Sequence, residues 1–255
     1  MPDSQESPFA HGTTPIPSAF LSLLVEQFRL VRTGQLLEIG CGEGYLTRAL
    51  AAYVAHVDAL DHSRSILASA EALGRDDSHR LRYIASRVQE FTPSRDYNLV
   101  ISLEAFHLVE ESDKATVLQR VAGALAPGGS MCVAWAEFFW EVPLFESYAA
   151  AFDDVGIDWG PVPNLAVLDL RSLAESALPG LDLEYGEREV EVAESFSLDQ
   201  ISGYLSSVSK ASVLSAAGHE QLRNGLLERF RETGIADPTA GVSRYVTRYF
   251  TKYPD

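Results

Sequence analysis

The sequence predicts a doubly wound α/β fold built on a seven-stranded, mostly parallel sheet with helical insertions. Three observations predict it. Strand-like and helix-like segments alternate from residue 35 to residue 135. The segment Asn98 to Leu103 (NLVISL) has the apolar, β-branched look of a strand buried on both faces. A glycine-rich turn, Gly40-Cys41-Gly42-Glu43-Gly44, joins the first strand to the first helix of that alternation.

Taken in order, residues 1–16 read as a flexible arm rich in Ser, Pro, Thr and Gly. A helix begins near Pro17 or Ser18 and carries Phe20, Leu23, Leu24 and Phe28 on one face. Strands are expected over residues 35–39, 56–60, 81–85, 98–103 and 131–135. Helices are expected over 44–53 and 63–73, the second stopped by Gly74. A further helix, capped by Ser112, carries Val117, Leu118, Val121 and Leu125 and halts at Pro127-Gly128-Gly129. Beyond residue 135 the alternation breaks. Leu181 to Val192 reads as a half-exposed strand. Ser197 and Gln200 form a capping box before a helix bearing Ile201, Tyr204, Leu205 and Val208. A second helix ends at Gly234, and Tyr245 to Phe250 closes the chain as a strand. The pattern suggests a single domain over 17–255, with cap insertions around 136–180 and 197–234.

Composition narrows the function. The 255 residues are 46% hydrophobic, and their mean hydropathy is −0.01, as in proteins that bury a substantial core in water. No apolar run spans a bilayer, and MPDSQESPFAHG is unlike a secretory signal, so a cytoplasmic protein with no membrane partner is expected. Cys41 and Cys132 offer neither a metal-ligand spacing nor a disulfide framework. A net charge of −16 repels polyanions and argues against nucleic acid as partner. The arginines near the C-terminus are interspersed with Glu220, Glu228 and Glu232, as on a solvated helix face.

The glycine turn gives the backbone close access to a ligand at a helix N-terminus. Two features separate it from a dinucleotide site. Glu38 stands two residues before Gly40, where a pyrophosphate disfavours a carboxylate and a cationic ammonium or sulfonium welcomes one. Bulky Tyr45 also occupies the place where the spaced dinucleotide fingerprint needs a small residue. Asp61 ends the second strand, placed either to accept both ribose hydroxyls or merely to cap the helix from Ser63. Asp58, mid-strand, is expected to face the other way.

With these motifs in hand, the segment from about Pro17 to Trp135 resembles the class I S-adenosylmethionine-dependent methyltransferases, which share a Rossmann-like sheet. The resemblance implies that Glu38, Gly40, Cys41, Gly42 and Gly44 hold the methionine part of S-adenosylmethionine (product S-adenosylhomocysteine). It implies that Asp61 binds ribose, with His62 beside the adenine. The family's acid after strand three is replaced by Arg87, so adenine recognition falls to the Val88 backbone and Gln89. Asn98 stands where strand four usually begins with Asp, and SLEAFH (Ser102 to His107) matches the strand's end. A looser similarity, in Ile201 to Leu214 and Arg244 to Phe250, is to small-molecule enzymes of the trans-aconitate methyltransferase type. The implied protein is a monomer or homodimer with a small-molecule acceptor.

Methyl transfer is an in-line displacement that needs alignment and exclusion of water, with a general base only for a protonated nucleophile. His107 is the candidate base, and Glu104 is expected near the cofactor. No metal site is expected. Trp135, Phe138, Phe139 and Trp140 either wall an apolar acceptor pocket or pack as core; Tyr204, Ser207 and Lys210 are candidates to reach the acceptor. Two other readings stay open: a nicotinamide-dependent oxidoreductase, opposed by Glu38 and Tyr45, and a non-catalytic binding protein of the same fold.

Overall fold

The computed structural model describes residues 16–74, 80–140, 143–158, 168–207 and 214–253. All but Ile16 of the expected N-terminal arm, together with Val208 and Lys210, lies outside them; so do the side chains of Trp140 and Ser207. The chain divides into two compact units, one of residues 16–137, 165–190 and 245–255, the other of 1–15, 138–164 and 191–244.

The larger unit opens with α1 (Ser18–Gln27), which buries Phe20 and Leu24. Two strand–helix repeats and two further strands follow: β1 (Gln35–Ile39), α2 (Tyr45–Ala51), β2 (His56–Asp61), α3 (Arg64–Leu73), β3 (Leu81–Ala85) and β4 (Tyr97–Leu103). Ser63 caps α3 by accepting the Ile66 N–H at 3.3 Å, and Gly74 ends it in extended backbone. A single 3-10 turn (Phe106–Leu108) leads into α4 (Glu111–Gly123) and β5 (Leu125–Trp140). The remaining elements are α5 (Pro143–Asp154), α6 (Leu170–Ala177), β6 (Leu183–Phe196), α7 (Leu198–Ser207), α8 (Ala216–Glu232) and β7 (Thr239–Lys252).

The strands form one seven-stranded sheet in the order β3-β2-β1-β4-β5-β7-β6. From β3 to β5 every pairing is parallel, with Glu38 opposite both Ala59 and Ile101. The expectation of a mostly parallel sheet is corrected beyond β5, where the sheet is mixed. Ser130 meets Thr251 at 2.8 Å while Trp135 lies under Arg248, so β7 descends as β5 ascends. Arg188 likewise faces Thr247 and Glu184 faces Tyr253, which makes β6 and β7 antiparallel. The last strand, β7, thus enters between β5 and the edge strand β6 and runs antiparallel to both.

Two further expectations are corrected. Ser112 lies inside α4, whose N-cap is Glu110 without a side-chain cap bond. The Pro127-Gly128-Gly129 segment does not stop that helix, which ends at Gly123; it lies within β5. Gly129 earns its place by close approach, since a Cβ there would come within 2.6 Å of the Tyr97 carbonyl oxygen.

The main core joins one sheet face to α4: Leu37, Tyr97, Val100, Phe106, Val117 and Val121 are all buried. The other face buries Cys41, Ala59 and Leu67 against Tyr83. The smaller unit has its own core, in which Phe152, Ile201, Leu205, Leu222, Leu226 and Phe230 pack together. Its capping box forms as expected: Gln200 Oε1 accepts the Ser197 N–H at 2.9 Å and Ser197 Oγ accepts the Gln200 N–H at 3.1 Å. Two bonds from Arg223 to Asp199 tie α7 to α8, and an Arg229–Asp154 pair ties α5 to α8. No helix among the described residues is long and apolar enough to cross a membrane.

Candidate functional site

In a parallel doubly wound sheet, ligands bind beyond the carboxyl ends of the strands, where the strand order reverses. Here that point lies between β1 and β4. The glycine turn leaves β1 with Gly40, Gly42 and Gly44 all at positive φ (73°, 53° and 74°). Gly40 packs on the segment after β4, for a Cβ at residue 40 would sit 2.2 Å from that of Ala105. A Cβ on Gly42 would meet nothing within 4 Å, so the turn's middle residue opens onto free space.

Two acids flank this turn. Glu38 is only 3% exposed and accepts a hydrogen bond from Thr47 Oγ1 in α2. Burial pushes its carboxyl up to about 8, although the Thr47 bond and the Arg48 charge pull the other way. Asp61 accepts the Gly42 N–H on Oδ2 at 3.1 Å and the Ser63 N–H on Oδ1 at 2.9 Å. Capping of α3 belongs to Ser63, so Asp61 instead joins the end of β2 to the middle of the turn. His62 beside it is largely exposed.

After β3, the Ser86 N–H bonds the Asp61 carbonyl at 2.9 Å. Arg87 is exposed, Val88 is buried, and the Gln89 amide donates to Asp113 Oδ2 in α4 at 3.0 Å. After β4, Glu104 adopts φ 57°, rare for a side chain with a Cβ and concentrated at functional sites. Its carboxylate accepts the Ala136 N–H at 2.6 Å. The Glu104 side chain opens to solvent on one side, yet the surrounding protein desolvates it enough, with repulsion from Glu137, to push it up to about 7.

His107 sits in the 3-10 turn, half-buried; burial and the nearby Lys114 charge lower its pKa and favour the neutral imidazole. The crevice it lines with Phe106, Val133 and Trp135 has room for about one water. Trp135 is buried, with its indole N–H on Glu137 at 3.2 Å and Arg248 stacked on its ring. Phe138 belongs to the smaller unit's core, 4.8 Å from Tyr204 and 6.1 Å from Phe196. Phe139 is exposed beneath Arg244. Cys41 is buried and its thiol is pushed well up by burial, which leaves it a packing residue rather than a nucleophile.

The structure therefore brings Glu38, the three glycines, Asp61 and the turn of Ser86 to Gln89 around one sheet edge, with Glu104 and His107 on the neighbouring strand end. Sequence reasoning missed Arg48 and Glu43. Arg48 donates to the Glu43 carbonyl at 2.6 Å and stacks over Tyr45, three residues earlier on the same helix face. Glu43 is 6% exposed, and its Oε2 is buried with no hydrogen-bond partner among the described residues. A buried carboxylate oxygen left unpaired among the described residues calls for a donor or a cation. These groups therefore suit a small ligand with a cationic head and a nucleoside. Among the described residues, no group of three or more metal-ligating side chains comes together.

Comparison with known proteins agrees with this geometry. Residues 36–129 match the family model described as a methyltransferase domain. The ubiquinone biosynthesis O-methyltransferase of Bradyrhizobium diazoefficiens is 34% identical over 109 residues, 42% of this chain and 42% of that protein. The chain spans less than half the length of the curated relatives it matches here. Among solved structures, a prospective type II methyltransferase from Anaeromyxobacter dehalogenans superposes with a TM-score of 0.60 at 18% identity, covering 96% of this chain and 100% of that one. Phosphoethanolamine N-methyltransferase 2 of Haemonchus contortus gives 0.52 at 17% identity, over 95% of this chain and 54% of that one. These two likenesses concern the fold. The glycine turn between two acids and the strand order thus accompany a segment, Leu36 to Gly129, that matches a methyltransferase domain.

Proposed function

We propose that the protein transfers a methyl group from S-adenosylmethionine to an oxygen, nitrogen or carbon of a small-molecule acceptor. The observation that carries this reading is the open turn at Gly42 held between buried Glu38 and Asp61. A cationic amino acid head suits Glu38 and the turn of Gly40, Cys41, Gly42 and Gly44; ribose hydroxyls suit Asp61, whose oxygens keep lone pairs beyond the two backbone bonds. His62, Val88 and Gln89 are assigned to the base and Glu104 to the cofactor's reactive end. S-adenosylmethionine supplies a methyl already activated on a sulfonium sulfur. His107, neutral near pH 7, is assigned to take the proton from an acceptor hydroxyl or ammonium.

The smaller unit is read as insertions into one methyltransferase domain, because its segments interleave in sequence with those of the larger unit. The working setting is the cytoplasm, as a monomer or homodimer without nucleic acid or membrane partners, consistent with the chain's strong negative charge.

Calorimetric titration with S-adenosylhomocysteine and with NADH tests the cofactor, and labelled S-adenosylmethionine against an acceptor panel tests turnover. The expected result is binding of S-adenosylhomocysteine alone and transfer of label. Tight NADH binding with none for S-adenosylhomocysteine would overturn the proposal. Binding without label transfer to any acceptor would assign a non-catalytic binding protein.

A further inference from the structure

The turn after β3 is tied to Asp61 through the Ser86 N–H, so a nucleoside with its ribose on Asp61 carries its base toward Arg87, Val88 and Gln89. This turn is helical: the Glu90 and Phe91 N–H groups both bond the Arg87 carbonyl. Adenine presents an amino donor, so recognition of that group requires an acceptor. Arg87 has only donors and is exposed. Gln89 is ambivalent by itself, since its carboxamide has an acceptor on one side and a donor on the other.

The structure removes this ambivalence. Gln89 Nε2 donates to Asp113 Oδ2 at 3.0 Å, from the turn after β3 to the first turn of α4. A carboxylate only accepts, so it holds the amide nitrogen. Covalent geometry then turns Gln89 Oε1 away from Asp113. We propose that Asp113 is a positioning residue that fixes the Gln89 carboxamide as an acceptor for the adenine amino group and so sets the protein's choice of base. The proposal rests on the S-adenosylmethionine reading above and adds to it a residue on a different element.

The test compares S-adenosylhomocysteine with S-inosylhomocysteine, in which a carbonyl oxygen replaces the amino group, by calorimetry on the full chain. Wild type is expected to prefer the adenosyl compound by about tenfold or more, the cost of facing two acceptors. In Asp113→Asn the new amide can donate to Gln89 and let its carboxamide turn over. The preference should then fall toward parity while S-adenosylhomocysteine still binds; Asp113→Glu should restore it. Gln89→Ala, checked for folding by thermal melting, should lose the preference as well. A merely structural bond would weaken both ligands equally and leave the ratio at its wild-type value, which would overturn the proposal, as would a wild type without preference. Failure of wild type to bind either compound would instead overturn the cofactor reading, and this inference with it.

Discussion

Asp61 Oδ2 accepts the Gly42 N–H at 3.1 Å, so the acid that ends β2 also fixes the middle of the turn that follows β1. Replacement by alanine removes the turn's brace and, on the proposed function, the ribose acceptor. Asp61→Ala is expected to weaken S-adenosylhomocysteine binding by about 1–3 kcal/mol, the cost of unpairing buried hydroxyls. Titration calorimetry measures it, and wild-type affinity in the variant would refute the ribose assignment.

Glycines of the same turn should separate stability from binding. Gly40→Ala must place a Cβ against Ala105 at positive φ, and a loss of about 2–5 kcal/mol is expected from strain plus overlap. Gly42→Ala meets nothing in the protein, so only the left-handed backbone costs it, about 1–2 kcal/mol. Its methyl nevertheless enters the open space of the turn and should lower ligand affinity. Denaturant unfolding and calorimetry on the pair would show whether the two losses part in this way.

Glu38 should couple binding to protons. Its carboxyl, raised to about 8 by burial, is mostly protonated at pH 7, whereas a cationic amino group favours the ionised form. Binding of S-adenosylhomocysteine is therefore expected to release a proton and to strengthen as pH rises toward about 8. Calorimetry in buffers of different ionisation enthalpy detects it. The stability of the free protein runs the other way. Between the unfolded value near 4.5 and the folded value near 8, the unfolded chain binds fewer protons, so stability falls as pH rises. Glu38→Gln should flatten both slopes.

Asp58 should matter for folding alone. It is fully buried and meets Arg82 through two bonds of 2.8 and 2.9 Å, the Tyr97 hydroxyl at 2.7 Å and His56 at 2.8 Å. Asp58→Ala leaves those partners uncompensated and is expected to cost about 3–5 kcal/mol. Although burial opposes ionisation, bonds from Arg82, Tyr97 and His56 hold the carboxyl below its usual value. The stabilisation is therefore present above the unfolded carboxyl's pKa and lost as pH falls through the folded one. Thermal melting across acidic pH checks the sign.

The chain exposed its α/β half readily and its other half poorly, for physical reasons. Strands β1 to β4 are short apolar runs between turn residues, and their bounds come within a residue of those read from the sequence. Tyr97 was missed at the start of β4 because its place depends on a bond to Asp58, 39 residues earlier. The Pro127-Gly128-Gly129 signal misled because a local rule for helix ends competes with strand pairing, which no local window contains. Likewise the return of β7 beside β5 is a long-range choice. In the candidate site, residue type and spacing pointed to Glu38, the glycines and Asp61. Arg48 and Asp113 did not, since a charged residue on a helix face ordinarily reads as solvated.

Asp58 and Asp61 stand three residues apart on β2, and side chains along a strand alternate between its faces, so the two acids serve opposite sides of one sheet. One anchors the scaffold, and on the proposed function the other serves the ligand edge. On that reading, a change of ligand preference made at Asp61 would leave the foundation at Asp58 untouched.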